Sequence, residues 1–175
     1  MNVMRAREPV TLKDFEALKK EDALIYELLD GMVMMSHGPS IAHQKMVVQL
    51  LTAINALLPD CQALPDIEVQ LAENILVPDL TILCPDAQTT EQRVISPPLL
   101  VIEVLSPSSM HRDYMIKLGT YQRLGIAEYW LVDTKAAFII VHCFKLGQST
   151  TYYREDTLQS CVFPELALDL HKIFP

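Results

Sequence analysis

The chain has 175 residues, of which half are hydrophobic and 21% are charged, a composition typical of one globular domain with a sizeable core. Its net charge of −8 argues against broad, non-specific nucleic-acid binding, which depends on phosphate neutralisation, but leaves room for a nucleic-acid enzyme with a local basic cleft. The charged N-terminus lacks the apolar stretch of a signal peptide, and no apolar run approaches the ~20 residues of a membrane span, so we expect a cytoplasmic protein.

The N-terminal part of the chain predicts a helix and a β-hairpin. Residues 12–20 form the helix, and residues 23–29 form a strand that turns back at Asp30-Gly31, a dipeptide typical of tight hairpins. Glu27 alternates with apolar residues in that strand. This alternation fits a solvent-facing position as well as a site position.

The middle of the chain predicts one long helix followed by two strands. The helix runs from the loop over 38–40 to Pro59, with apolar residues at the 3.6-residue period. His43 lies in its first turn, where a histidine is more often a surface or packing residue than a catalyst. Residues 67–71 then alternate as a strand, and residues 75–84 run back as another.

Two acidic residues interrupt strands that are otherwise apolar. Asp79 follows Pro78 within 75–84, and a proline inside a strand indicates an edge, a bulge or a bend of the kind found beside functional sites. Glu103 lies in the apolar run 99–105, which has prolines at both ends and reads as a strand buried on both faces. Because an unpaired buried carboxylate is costly, we expect a metal ion or a cation to meet Glu103.

The C-terminal part predicts one helix and a run of strands. The helix over 110–124 places Lys117 in an apolar stripe, where its ammonium either reaches water or points into a polar site. A surface ion pair with Asp113, four residues earlier, is the simpler alternative. The remaining predicted elements are strands over 128–133, 138–146, 150–155 and 158–163, the last three forming a β-meander, and a short helix over 165–174. This order indicates a single α/β (mixed α+β) domain over residues 1–175.

The four cysteines form no CxxC motif and no Cys/His cluster, and each lies among apolar residues. We therefore expect buried free thiols rather than zinc ligands or disulfides. The positions are Cys61, Cys84, Cys143 and Cys161.

Asp79 and Glu103 lie on consecutive predicted strands, and their carboxylates converge if those strands are neighbours. Two hard oxygen ligands with vacant positions suit Mg²⁺ or Mn²⁺, which would polarise a phosphodiester and acidify a water molecule. Lys117, on the helix that follows, would stabilise charge that develops on phosphate. The alternative is a pair of acidic residues at strand ends or facing solvent.

Several segments together resemble one protein family. They are VPDLTIL, LLVIEVLSPSS and HRDYMIKLGTYQRLGIAEYWLVD, preceded by YELLDGMVMMS and HGPSIAHQ. This combination resembles the Uma-two family of restriction endonucleases, in the PD-(D/E)XK nuclease superfamily, over residues 23–145. The resemblance implies a restriction-endonuclease-like core, with a mixed β-sheet flanked by helices, an N-terminal hairpin and a divalent-metal site at the sheet edge.

The resemblance also implies roles for individual residues. Asp79 and Glu103 match the two acidic metal ligands of the superfamily. Leu105 stands where the superfamily usually has its lysine, and Lys117 matches a lysine displaced onto the next helix. Glu27 matches an acidic position that orients the metal site. Two further matches are the Val104 carbonyl, a candidate metal ligand, and His43, which has no assigned role.

The predicted function is a Mg²⁺- or Mn²⁺-dependent endonuclease that hydrolyses phosphodiester bonds, with DNA as the expected substrate. Two alternatives stay open: a catalytically silent binding or scaffold protein with the nuclease fold, favoured by the acidic charge, and a hydrolase of small phosphoesters. Nucleases of this fold often act as dimers, so the resemblance implies a homodimer. Candidate DNA-contacting cations are Lys45, Arg93, Arg112 and Arg123, and candidate dimer contacts are exposed strand edges together with Tyr152 and Tyr153.

Overall fold

A computed structural model describes residues 8–18, 24–105 and 112–174. The first helix, predicted over 12–20, ends at Glu16, with Ala17 as its C-cap. The predicted strand start at residue 23 and the predicted helix start at residue 110 lie outside this part of the chain. Of the described helices, none is long and apolar enough to cross a membrane. The helices are α1 (Leu12–Glu16), α2 (Ile41–Leu57), α3 (Arg112–Arg123) and α4 (Leu170–Ile173). The strands are β1 (Leu24–Leu29), β2 (Met32–His37), β3 (Gln62–Pro65), β4 (Glu68–Leu71), β5 (Asn74–Leu76), β6 (Leu80–Leu83), β7 (Arg93–Val94), β8 (Leu100–Val104), β9 (Glu128–Asp133), β10 (Phe138–Cys143), β11 (Gln148–Tyr153), β12 (Thr157–Gln159) and β13 (Ala167–Asp169).

The strands form three sheets. One has five strands in the order β2-β1-β5-β4-β7, one has six in the order β11-β10-β9-β8-β6-β3, and β12 pairs with β13. In the six-stranded sheet β8 and β9 are parallel and are joined through α3, whereas the other neighbours are antiparallel. The predicted mixed α/β fold, with a mixed sheet flanked by helices and an N-terminal hairpin, is confirmed.

The six-stranded sheet lies between two apolar layers. Leu50 of α2 and Ile102 of β8 belong to one core cluster, which also includes the C-terminal segment. Val101 of β8 and Tyr121 of α3 belong to a second cluster, together with residues of the five-stranded sheet. Because side chains alternate along a strand, Glu103 lies on the same face as Val101, toward α3.

The chain passes from one sheet to the other at Pro78. The segment 75–84, predicted as one strand, is two: β5 pairs with β4 and β1 in the five-stranded sheet, and β6 pairs with β3 and β8 in the six-stranded sheet. Proline has no N–H to donate to a ladder, so the strand ends there and the chain turns. Asp79 therefore lies at the bend between the two sheets.

The C-terminal meander has three strands, as predicted, but they are not the three expected. β9, β10 and β11 form it, but β12 leaves it and pairs with β13, in a segment predicted as part of a helix over 165–174. Leu158 and Leu168 face each other in this pair and are both buried in the core. Burial of these alternating leucines favours a strand over a helix at this position, and the helix is confined to α4.

The expectation of free cysteines is wrong. The cysteines form two disulfides, Cys61–Cys84 and Cys143–Cys161. Cys61 and Cys84 lie just beyond the paired residues Gln62 and Leu83 of β3 and β6, so the antiparallel register brings them together. The partners are 23 and 18 residues apart in the chain, and no local spacing indicates such pairs.

Candidate active site

Lys117 lies between two carboxylates that come from different sheets. Its Nζ is 2.9 Å from Glu27 Oε2 on β1 and 2.8 Å from Glu103 Oε1 on β8. Burial alone would lower the pKa of Lys117, but the charges of Glu103 and Glu27 outweigh it and hold that pKa above its ordinary value. The ammonium is therefore ionised and bridges the two sheets. The alternative ion pair with Asp113 involves a side chain outside those described.

Glu27 is buried, so of the two positions that its alternation allowed, the solvent-facing one is excluded. It lies on the same face of β1 as Leu29, which belongs to the core cluster under α3. Glu27 is 7% exposed, and its Oε1 accepts a hydrogen bond of 2.8 Å from the N–H of Val77. Glu27 is thus fixed at both oxygens, one by the backbone beside the sheet crossing and the other by Lys117.

Glu103 accepts two side-chain hydrogen bonds on one oxygen. Lys117 Nζ and the hydroxyl of Tyr121 both donate to Oε1, whereas no donor to Oε2 is found among the described residues. Burial, opposed by Lys117 and reinforced by the charges of Asp79 and Glu27, raises the pKa of Glu103 to about 7. Glu103 is therefore a carboxylate whose ionisation is sensitive to its neighbours near neutral pH.

Asp79, like Glu103, has one oxygen that is engaged by two groups and one for which no donor is found among the described residues. Oδ2 accepts a hydrogen bond of 2.6 Å from the N–H of Val104 and lies 3.0 Å from His43 Nε2. Within the described chain no donor to Oδ1 is found. Since Leu80 pairs with Ile102 in the antiparallel β6–β8 ladder, the next step of the register sets Asp79 opposite Glu103. Asp79 and Glu103 are therefore neighbours by register, at the point where β6 begins.

His43 joins this group from the opposite side of the sheet. It lies in the first turn of α2, whose N-cap is Ser40, and is buried. Burial alone would lower the pKa of His43, but the hydrogen bond and charge of Asp79 outweigh burial and raise it. Its Nδ1 is buried without a hydrogen-bond partner in the described residues. The histidine that the sequence left without a role is therefore a direct neighbour of Asp79.

Sequence reasoning missed two members of the group. Asp66 lies in the turn between β3 and β4 at a φ of 50°, and burial together with the charge of Asp79 raises its pKa. Nothing in the sequence distinguishes Asp66 from an ordinary turn aspartate. Tyr121 lies four residues after Lys117 in the apolar stripe of α3, a position typical of core packing, yet its hydroxyl contacts Glu103.

The donor set fits one hard divalent cation held partly by water and substrate. In the described part of the chain, no group of three or more His, Cys, Asp or Glu side chains could hold a metal ion. Mg²⁺, however, commonly takes only one or two protein carboxylates and keeps several waters. Asp79 and Glu103 each have one oxygen engaged by two groups and another with no donor among the described residues. The residues present therefore fit such an ion.

Two of the four cations suggested as DNA contacts are engaged in ion pairs elsewhere. Arg93 makes ion pairs with two glutamates, and Arg123 makes one with Asp30. Lys45 is exposed and has no ion pair among the described residues, and the side chain of Arg112 lies outside those described. Of the four candidates, Lys45 is therefore the one that is exposed and without an ion pair within the described ranges.

Two comparisons with known proteins give matches. A family model described as "Uma2: Putative restriction endonuclease" matches residues 12–171. Among solved structures, a protein from Anabaena variabilis, titled a putative nuclease belonging to DUF820, is 18% identical, with a TM-score of 0.81 over 95% of this chain and 98% of that chain. At this identity the likeness shows a shared fold. No curated protein matches the chain.

Proposed function

Because the chain belongs to the Uma2 family, we propose that it is a divalent-metal-dependent endonuclease of the PD-(D/E)XK type that hydrolyses phosphodiester bonds in DNA. The observation that carries this proposal is a network in which Glu103 is bonded to the ammonium of Lys117 and lies opposite Asp79 in the β6–β8 register, where the charge of Asp79 acts on Glu103. Acidic ligands next to a fixed cation are what phosphodiester hydrolysis needs. Such a site stabilises the negative charge that grows on phosphate in the transition state.

Each residue of the network has a distinct task in the proposed mechanism. Asp79 and Glu103 would hold the cation through Oδ1 and Oε2, the oxygens that have no donor among the described residues. When bound, Mg²⁺ or Mn²⁺ supplies Lewis-acid polarisation of the scissile phosphate and lowers the pKa of water. Lys117, kept ionised by its two glutamates, stabilises charge on the phosphate oxygens while water attacks phosphorus and the bond to the leaving oxygen breaks. Glu27 fixes the position of Lys117.

The assembly and location of the protein are also part of the proposal. Cutting both strands of a duplex needs two sites, so we expect a homodimer with one domain of residues 1–175 in each subunit. Cytoplasmic location stays a prediction from the sequence. The two disulfides count against it, because disulfides persist mainly in oxidising compartments.

The direct test is metal-dependent nicking of supercoiled plasmid DNA. We expect nicking in Mg²⁺ or Mn²⁺, none in EDTA, and at least a 100-fold loss, on the order typical for removal of a catalytic charge, in Asp79→Asn and Glu103→Gln. Glu165→Gln, which changes an exposed glutamate, is the matched control and should cut like the wild type. Equal nicking by all four proteins would reject the site.

A second candidate function is a non-catalytic binding or scaffold role. It is favoured by the net charge of −8 and by the ion pairs that neutralise Arg93 and Arg123. Calorimetric titration with Mn²⁺ near neutral pH separates the two. Binding tighter than the millimolar range that is abolished in Asp79→Asn supports the nuclease, and no binding below that range supports the scaffold.

A further inference from the structure

We infer that Tyr121 is a positioning residue of the metal site, which holds the Glu103 carboxylate so that one of its oxygens stays available to the cation. The inference rests on the function proposed above and adds a residue that neither the sequence pattern nor the family description identifies.

The geometry that supports the inference is a pair of donors on one helix. Tyr121 lies one turn after Lys117 on α3, and both side chains donate to the same oxygen of Glu103. Tyr121 is fully buried, and its ring meets that of Tyr129 edge-on, with centroids 5.0 Å apart. Packing therefore fixes the orientation of the Tyr121 ring, and its hydroxyl is held in position to donate to Glu103.

Two donors on Oε1 have a consequence for Oε2. A carboxylate anchored at one oxygen by both an ammonium and a hydroxyl cannot turn that oxygen toward a metal ion without losing two hydrogen bonds. Groups that orient a metal ligand in this way typically contribute about 10–100-fold to metal affinity or activity. A tyrosine that only filled the core would be replaced by phenylalanine at no cost to the site.

Two neighbouring tyrosines provide matched controls for removal of one hydroxyl. The hydroxyl of Tyr129 is buried with no partner in the described residues. The hydroxyl of Tyr114, also on α3, is bonded to His142 Nε2 at 3.0 Å. Neither is hydrogen-bonded to Glu103 among the described residues, so Tyr129→Phe and Tyr114→Phe remove the same atom while leaving the contact under test intact.

The first experiment is calorimetric titration of the full chain with Mn²⁺ near neutral pH. We expect Tyr121→Phe to bind about 10–100-fold more weakly than the wild type. Tyr129→Phe and Tyr114→Phe should keep the wild-type affinity. Circular dichroism verifies that all four proteins are folded. Wild-type affinity in Tyr121→Phe would overturn the inference.

The second experiment needs no metal. The side-chain carboxyl carbon of Glu103 is followed by ¹³C NMR across pH, with its signal assigned by its absence in Glu103→Gln. Loss of a donor to the ionised form should raise the apparent pKa of Glu103 by about one unit in Tyr121→Phe and leave it unchanged in Tyr129→Phe. An unmoved titration in Tyr121→Phe would contradict the inference.

The two readouts distinguish failure of the inference from failure of the proposed function. If the wild type binds no Mn²⁺ but Tyr121→Phe shifts the titration of Glu103, the metal-dependent function is rejected. The hydrogen bond by which Tyr121 positions Glu103 is then still supported. If Mn²⁺ binds to the wild type and to Tyr121→Phe alike, the metal site stands and the positioning role is rejected.

Discussion

At the scale of single residues, the charge balance of the site depends on Lys117. It is the cation that faces both Glu27 and Glu103, and all three groups are largely removed from water. The net contribution of a buried ion pair to stability is small because desolvation offsets the attraction. Removal of one member is different, since it leaves the other charges buried and unpaired.

Replacement of Lys117 by methionine should therefore destabilise the protein. We expect Lys117→Met to lower the free energy of unfolding by about 3–5 kcal/mol near neutral pH, measured by urea denaturation. The loss should shrink as the pH is lowered, because Glu103, whose pKa is raised, then takes up a proton and stops repelling Glu27.

The matched control is Lys145→Met, which removes an exposed lysine with no ion pair among the described residues. Its effect should stay within about 0.5 kcal/mol. If Lys117→Met were as stable as this control, the ion pairs of Lys117 with Glu27 and Glu103 would make no contribution to the free energy of unfolding.

The sequence predicted some members of the site and missed others for a physical reason. Asp79, Glu103 and Lys117 stand out because each places a charge in an apolar pattern, which burial makes costly. Tyr121 and Asp66 do not stand out. A tyrosine in a helix stripe and an aspartate in a turn satisfy ordinary local rules, and only the tertiary fold brings them to the site.

At the scale of elements, a buried glutamate fastens the C-terminal segment to the central sheet. Glu128, at the start of β9, is fully buried, and its Oε1 accepts a hydrogen bond of 2.6 Å from the indole of Trp130. Its Oε2 accepts from the Ser160 hydroxyl at 2.7 Å and from the backbone N–H groups of Cys161 and Val162 at 3.0 Å. Both oxygens of Glu128 are engaged in structural hydrogen bonds, and this carboxylate has no part in the proposed chemistry.

Glu128→Gln should loosen that connection. The neutral amide accepts more weakly and presents N–H groups where an acceptor is needed, so we expect a loss of about 2–3 kcal/mol in the free energy of unfolding. Hydrogen exchange should show reduced protection of the N–H groups of Cys161 and Val162. Glu165→Gln is the exposed control, and unchanged protection in Glu128→Gln would contradict this role.

The two disulfides make a separate prediction for the elements they join. By the loop-closure argument, each bridge stabilises the fold by about 3 kcal/mol. Reduction should therefore lower the urea midpoint markedly, and the paired variant Cys61→Ser/Cys84→Ser should reproduce part of that loss. Thiol counting by mass spectrometry of the non-reduced, denatured protein checks the premise, and four free thiols would refute it.

Local patterns predicted most elements but not how all of them pair. The alternation and turn residues located the hairpin, α2 and the strand of Glu103. They did not show that Pro78 divides one apolar segment between two sheets, or that Leu158 pairs with Leu168. Both facts depend on contacts with strands distant in sequence, which no local window contains.

At the scale of the whole molecule, charge limits how the protein can hold DNA. The chain carries a net charge of −8, and Arg93 and Arg123 are neutralised by carboxylates. A protein of this kind releases few counterions when it meets a duplex. Under the proposed function, affinity for DNA would come from a small number of phosphate contacts together with the divalent cation.

The salt dependence of binding measures this directly. In Ca²⁺, used to avoid cleavage, fluorescence anisotropy should give a slope of log K against log salt no steeper than about −3, which corresponds to roughly three phosphate contacts. Lys45→Ala should make the slope shallower by about 1. Lys172→Ala, whose lysine pairs with Asp169, is the control. A slope as steep as about −6 would contradict this expectation, because it would require about twice as many phosphate contacts.

The most direct measurement is the anomalous difference map of a crystal soaked in Mn²⁺. The proposed site predicts a peak between Asp79 and Glu103, with an oxygen of each at about 2.1 Å, the distance expected for a hexacoordinate hard cation. Oε1 of Glu103 should still be bonded to Lys117 and Tyr121. A peak bound by other residues, or none at concentrations that support nicking, would contradict it.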